Sequence, residues 1–139
     1  NLEVGILKML GMVMMKEIII INRVKCNKCG SIITSRSVHD YKTCRCGNVS
    51  VDGGLDYLRR NYESNDYIEL NEGISINSDY SLVRNKYKQD DFKEYCCDCG
   101  SSNVFMYKGD GEFIDGNDLL GYSCSDCKKV FVFNDINFK

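Results

Sequence analysis

Residues 25–51 read "KCNKCGSIITSRSVHDYKTCRCGNVSV", and the spacing inside this stretch governs the reading of the whole chain. Cys26 and Cys29 are separated by two residues and followed by Gly30. After a gap of 14 residues come Cys44 and Cys46, separated by one and followed by Gly47. A short cysteine turn puts two sulfurs on one side of a tight loop. Two such turns supply the four tetrahedral thiolates that suit Zn²⁺. Glycine behind the second cysteine tolerates the unusual backbone that lets N–H groups point at the sulfurs. The same arrangement returns downstream: Cys96 and Cys99 with Gly100, then, after 24 residues, Cys124 and Cys127. Here Lys128 stands in the glycine's place and keeps a positive charge near an anionic centre. The expectation is two structural Zn²⁺ sites, Cys26/Cys29/Cys44/Cys46 and Cys96/Cys99/Cys124/Cys127. Of nine cysteines this leaves Cys97, whose spacing is the poorer, as a free thiol. His39, the single histidine, is expected to be a structural or surface residue near the first site, orienting a loop rather than replacing a thiolate.

Composition agrees with metal as the source of stability. The 139 residues contain no Trp and no Pro. Divided in two, they make domains that would each bury too little apolar surface to be stable unaided. The net charge of −2 is unevenly spread. Residues 16–60 hold nine Lys/Arg against four Asp/Glu, residues 61–95 four against eight, and residues 96–139 four against seven. A basic first part and an acidic remainder suggest a polyanion-facing module joined to one that is not. The longest uncharged run at the apolar start is Met9–Met15, far short of the ~20 residues of a spanning helix. The expectation is therefore a cytoplasmic protein with no membrane partner. In a reducing compartment paired cysteines mean metal rather than structural disulfides.

Along the chain, residues 1–15 read as an N-terminal extension. Met9, Met12, Met14 and Met15 are all candidate starts, and residues 1–8, or as many as 14, read as untranslated leader; the other reading is a genuine amphipathic segment. Residues 16–73 read as an N-terminal zinc-ribbon-like module. "KEIIIINRVKC" forms a strand entering the first cysteine turn, with further strands at "SIIT", "YKTC" and "NVSV". "DGG" at 52–54 is a turn, and "LDYLRR" is a last strand or one helical turn. Residues 74–94, the later part of the acidic 61–95 stretch, read as a linker in which "SLVRNKYKQDDFKEY" could form a short helix. Residues 95–139 repeat the pattern: cysteine turn, strand "NVFMY", a Gly/Asp loop over 108–118, cysteine turn, strand "VFVF". The expected fold class is a small β-rich, zinc-stabilised protein with minor α content: two zinc-ribbon-like modules joined by an acidic linker.

Two resemblances follow from these residues. "CCDCGSSNVFMYKGD…GYSCSDCKKVFVF" (95–133) looks like a generic zinc ribbon, two cysteine knuckles on a three-stranded sheet; this is specific for fold and not for function. Residues 23–60 resemble small, mostly uncharacterised proteins of bacterial viruses, prophages and low-GC bacteria. Their pattern is C-x2-C-G, H-D-[YF], C-x-C-G and D-G-G-x-D-Y-[LI]-R-R. This chain matches it from Cys26 through His39, Asp40, Tyr41, Cys44, Cys46, Asp52, Gly53, Gly54, Asp56 and Tyr57 to Arg59 and Arg60. The resemblance implies a zinc-binding fold and a phage-like origin, and no established activity.

Catalysis is not expected. A single histidine allows no H-E-x-x-H, no phosphate loop is present, and four-cysteine sites leave no open metal position. Asp52 is read as capping the Gly-Gly turn and Asp56 as pairing with Arg59 or Arg60. Two binding readings remain. In one, the basic module contacts nucleic acid through Arg23, Lys25, Lys28, Arg36, Lys42, Arg45, Arg59 and Arg60, with Tyr41 and Tyr57 as stacking platforms. In the other, favoured one, the protein binds or inhibits a host protein such as a nucleic-acid-processing enzyme. Its acidic residues, above all Asp110, Glu112 and Asp115 in the long 108–118 loop, would fill a basic groove. The binding candidates are thus Arg45, Tyr57, Arg59, Arg60, Asp110, Glu112 and Asp115, with oligomeric state open.

Overall fold

The computed structural model describes residues 15–133 and residue 136. The expectations for residues 1–14 lie outside the described residues. The chain divides into two compact units, one spanning Lys16–Ser75 and the other containing Ile76 onward.

In the N-terminal unit the isoleucine run forms β1 (Met15–Ile21), which pairs with β8 (Glu72–Asn77). The sequence reads "KEIIIINRVKC" as one strand, but Asn22 divides it. Its side chain is fully buried and donates to the carbonyls of Asp52 and Gly54, both at 2.9 Å. The chain therefore breaks there and restarts as β2 (Arg23–Cys26). β2 lies between β3 (Ile32–Thr34) and β7 (Tyr67–Glu69), antiparallel to both. A second three-stranded sheet places β5 (Val49–Asp52) between β4 (Lys42–Thr43) and β6 (Arg59–Tyr62). Val24, Val49 and Val51 pack with Cys26 and Cys44, so the unit's small core and its cysteine cluster are one structure.

In the C-terminal unit β10 (Val104–Lys108), β11 (Leu119–Cys124) and β12 (Lys129–Val132) form an antiparallel meander. The stretch read as a linker supplies a fourth strand. β9 (Ser81–Arg84) pairs in parallel with β12, with Leu82 against Val130 and Val83 against Phe131. The short helix expected over 81–95 is replaced at its start by this strand and limited to one 3-10 turn, Gln89–Asp91. "SLVRNKYKQDDFKEY" has no helical apolar stripe, whereas Val83, Tyr87 and Phe92 pack onto the Tyr122–Phe131–Phe133 core. Tyr122 lies between Phe92 and Phe131, with ring centroids 4.5 and 4.7 Å away. The architecture is β-rich with almost no helix. Among the described residues no helix is long and apolar enough to cross a membrane.

Two candidate metal centres

Cys26, Cys29, Cys44 and Cys46 converge at one point, and Cys96, Cys99, Cys124 and Cys127 at another. In each group all ligand atoms lie within 4.8 Å of one another. Sulfurs are 3.7 Å apart for Cys26–Cys46, 3.6 Å for Cys44–Cys46, 3.7 Å for Cys96–Cys127 and 3.5 Å for Cys99–Cys124. A disulfide needs about 2.05 Å. Four sulfurs placed tetrahedrally about 2.3 Å from a zinc ion stand about 3.8 Å apart. The cysteines, all free thiols, thus match the spacing of a four-thiolate metal site.

Local backbone explains how each pair converges. Gly30 N–H donates to the Cys26 carbonyl and Gly100 N–H to that of Cys96, both at 2.8 Å. Lys128 N–H does the same to Cys124, and Gly47 N–H to Cys44, both at 3.0 Å. All four residues are left-handed, with φ of 75°, 75°, 56° and 81° for Gly30, Gly100, Lys128 and Gly47. Lys128 therefore adopts the glycine conformation without being glycine.

A second layer ties the turns together. Arg45 donates its backbone N–H to the Ser31 hydroxyl (3.2 Å) and its guanidinium to the Cys29 carbonyl (2.7 Å). It joins the two halves of the first centre. The hydroxyl and backbone N–H of Ser31 push the Cys29 thiol down, while burial and hydrogen bonds from the neighbouring sulfurs push Cys46 up. In the second centre the Ser101 hydroxyl bonds the Asp126 carboxylate, which also accepts from Asn103 Nδ2 at 3.2 Å. The knuckle carboxylate Asp98 accepts from Lys86 (2.8 Å), Lys129 (3.0 Å) and the Tyr87 hydroxyl. These three donors keep its pKa well below the usual carboxylate range. Sequence reasoning missed Ser31, Ser101, Asp98 and Asp126. A signal for the serines was present, because both leading knuckles read C-G-S.

The remaining candidates are dispersed. His39 is exposed, lies outside the thiolate group and holds a left-handed turn position, φ 70°. Cys97 also stands apart: its N–H donates to the buried Tyr122 hydroxyl at 2.9 Å. Asp52 caps its turn, accepting from Gly53 N–H at 2.8 Å. Arg60, on β6, pairs with Glu69 of the next strand, β7, rather than with Asp56. The guanidinium meets both carboxylate oxygens at 2.9 Å and the Asn71 amide oxygen at 2.8 Å. Arg59 and Tyr57 are exposed. In the 108–118 loop the carboxylates of Asp110 and Asp115 accept from the N–H groups of Glu112 and Asn117, both at 3.0 Å. Ile114 is buried beneath, so the loop is an ordered hairpin tip; Glu112 is exposed at it.

The class that fold and site define is a β-rich protein with two separate four-cysteine centres. Residues 18–62, which contain the first centre and the DGG turn, match the model of a domain of unknown function, DUF7695. No curated protein and no solved structure matches the chain.

Proposed function

We propose that this is a non-catalytic zinc protein of the cytoplasm, with Zn²⁺ in both centres, that acts by binding another protein. Closed four-thiolate sites serve folding, whereas a catalytic zinc keeps a coordination position open. The observation that carries the protein-binding reading is the character of the N-terminal unit's surface. Arg60 is spent on Glu69 and Asn71, with its side chain only 9% exposed, and Arg45 on the Cys29 carbonyl. The acidic residues 61–75 fold into the same unit, so Lys16–Ser75 carries nine Lys/Arg against eight Asp/Glu and loses the basic excess of 16–60. Among its large apolar and aromatic side chains the unit exposes Ile32, Val38, Tyr41, Tyr57, Leu58, Tyr62 and Ile68, beside the exposed cations Lys25, Lys28, Arg36, Lys42 and Arg59. Aromatic enrichment with little net charge suits a protein interface. The resemblance of residues 23–60 to phage and prophage proteins makes a host protein the partner class we favour, with this protein as its inhibitor.

Nucleic acid is the second reading, supported by Arg59 exposed on the same unit as Tyr41 and Tyr57. Titration of zinc-loaded protein into labelled single- and double-stranded DNA and RNA at several salt concentrations separates the two. The protein-binding reading expects no binding even at low salt. Steeply salt-dependent binding, lost in Arg59→Glu, would replace it with a counterion-release mechanism. The positive arm is binding of a host-lysate protein that Tyr57→Asp/Leu58→Asp abolishes while metal content stays unchanged.

A further inference from the structure

β10 is an edge of the C-terminal sheet, with β11 on one side and, among the described residues, no strand on the other. Natural edge strands are blunted by Pro, by charges in mid-strand or by a bulge. β10 has none of these over its first four residues. The chain has no Pro, the strand's single charge is its last residue, Lys108, and the register shifts only between Tyr107 and Lys108. Phe105 is 64% exposed on this strand, and Met106 is exposed beside it.

Hydrogen bonding identifies the open groups. The Asn103 carbonyl accepts from Ser125 N–H, and Gly109 N–H donates to the Asp118 carbonyl. By the alternation of an antiparallel ladder, Asn103, Phe105, Tyr107 and Gly109 turn their main-chain groups toward β11 and its flanks. Val104, Met106 and Lys108 turn theirs outward. Val104 N–H is already given to the Ser102 carbonyl at 2.9 Å. The outward set is then the Val104 carbonyl, both groups of Met106 and the Lys108 N–H.

We infer that a second copy of this chain occupies the edge, β10 pairing antiparallel with β10 about a two-fold axis at Met106. Met106 exchanges both main-chain bonds with the partner's Met106. Each Val104 carbonyl accepts from the partner's Lys108 N–H, which uses the outward set and does not need the committed Val104 N–H. The neighbouring non-hydrogen-bonded pair, where side chains approach most closely, sets Phe105 against the partner's Tyr107. Within one chain these rings already meet edge to face, centroids 5.2 Å apart, so the pairing builds a four-ring cluster and covers Phe105. The antiparallel direction also sends the two acidic hairpins, with Asp110, Glu112 and Asp115, to opposite ends, whereas a parallel pairing would bring like charges together. A five-residue edge buries less than the ~1,200 Å² of a standard stable interface, so the dimer depends on concentration.

The test is sedimentation velocity of the metal-loaded full chain over a roughly hundredfold concentration range reaching high micromolar. The mass should rise from one chain toward two. Met106 amide exchange should slow over the same range. Phe105→Lys should sediment as a single chain throughout, with metal content and cooperative melting unchanged. Met106→Pro, which removes the central N–H, should do likewise. Single chains at every concentration in the wild type would overturn the inference and leave the edge to a strand of another protein. A dimer unaffected by Phe105→Lys would overturn it as well. The protein-binding reading rests on the N-terminal unit, so either result leaves that reading standing.

Discussion

At the scale of single residues, a knuckle glycine and a turn glycine offer a controlled comparison of backbone strain. Gly30 and Gly54 both have positive φ, 75° and 55°, but their surroundings differ. A Cβ on Gly30 would meet nothing within 4 Å, whereas one on Gly54 would lie 2.3 Å from the Ser37 backbone. Gly30→Ala should therefore cost only the left-handed penalty, about 1–2 kcal/mol. Gly54→Ala should cost clearly more, because the Ser35–Asp40 turn must move. That turn is held by Ser35, whose hydroxyl donates to the Asp40 carbonyl (2.8 Å) and accepts from Gly54 N–H (2.9 Å). The same reasoning reversed applies to Lys128, the knuckle residue that is left-handed without being glycine. Lys128→Gly relieves the penalty, loses some unfolded-state entropy advantage and gives up the cation over the Tyr80 ring, 5.1 Å from its centroid. The expected net is a gain of roughly 0.5 kcal/mol. Denaturant melts of the three variants, each with full metal content, check all three values, and destabilisation by Lys128→Gly would refute the strain argument.

At the scale of elements, the Arg59–Arg60 pair shows how strand register decides a residue's job. Both lie on β6, where side chains alternate, and only Arg60 meets Glu69 of β7. Arg60→Ala should cost about 1–3 kcal/mol, since it removes a bidentate charged pair and leaves Asn71 short of a donor; Glu69 is partly solvated, which keeps the figure at the low end. Arg59→Ala should stay within about 0.5 kcal/mol. Thermal melts of the two single variants decide it, and equal losses would mean that the alternation does not set their roles. The sequence could not separate these neighbours, because which of them meets Glu69 depends on how β6 and β7 are placed by the fold. β9 was hidden for a related reason. Leu82 and Val83 are two apolar residues in a polar, Tyr-rich stretch, and their meaning depends on Val130 and Phe131 far along the chain. The strands leading into cysteines were readable, because a β-branched run ending in C-x2-C is a local signal. The eight cluster cysteines were readable from spacing alone, while the carboxylates and serines behind them depend on which knuckles face each other.

At the scale of the whole molecule, each unit has a small core with a four-cysteine cluster built into it. Val24, Val49 and Val51 touch Cys26 and Cys44 in one; Tyr122, Phe131 and Phe133 pack with Cys96 and Cys124 in the other. Structural zinc contributes ~10–16 kcal/mol in small peptides, as large as the whole stability of a typical domain, ~5–15 kcal/mol. Metal loss should therefore unfold a unit rather than loosen it. Zinc-loaded protein is expected to carry two ions per chain, one in each cysteine cluster. Cys26→Ser should leave one ion and abolish the N-terminal unit's dispersed amide signals while those from Tyr122 and Phe131 persist. Cys99→Ser should do the reverse, and Cys97→Ser should keep both ions. Acidification should act as a chelator does, because protons compete for the thiolates, so stability falls with falling pH as metal is released. Metal analysis and amide spectra of the three variants, followed by a chelator titration, make the comparison. A cooperative melt that survives complete metal removal would show that the valine and aromatic cores suffice, and the metal-held scheme would then fail for both units.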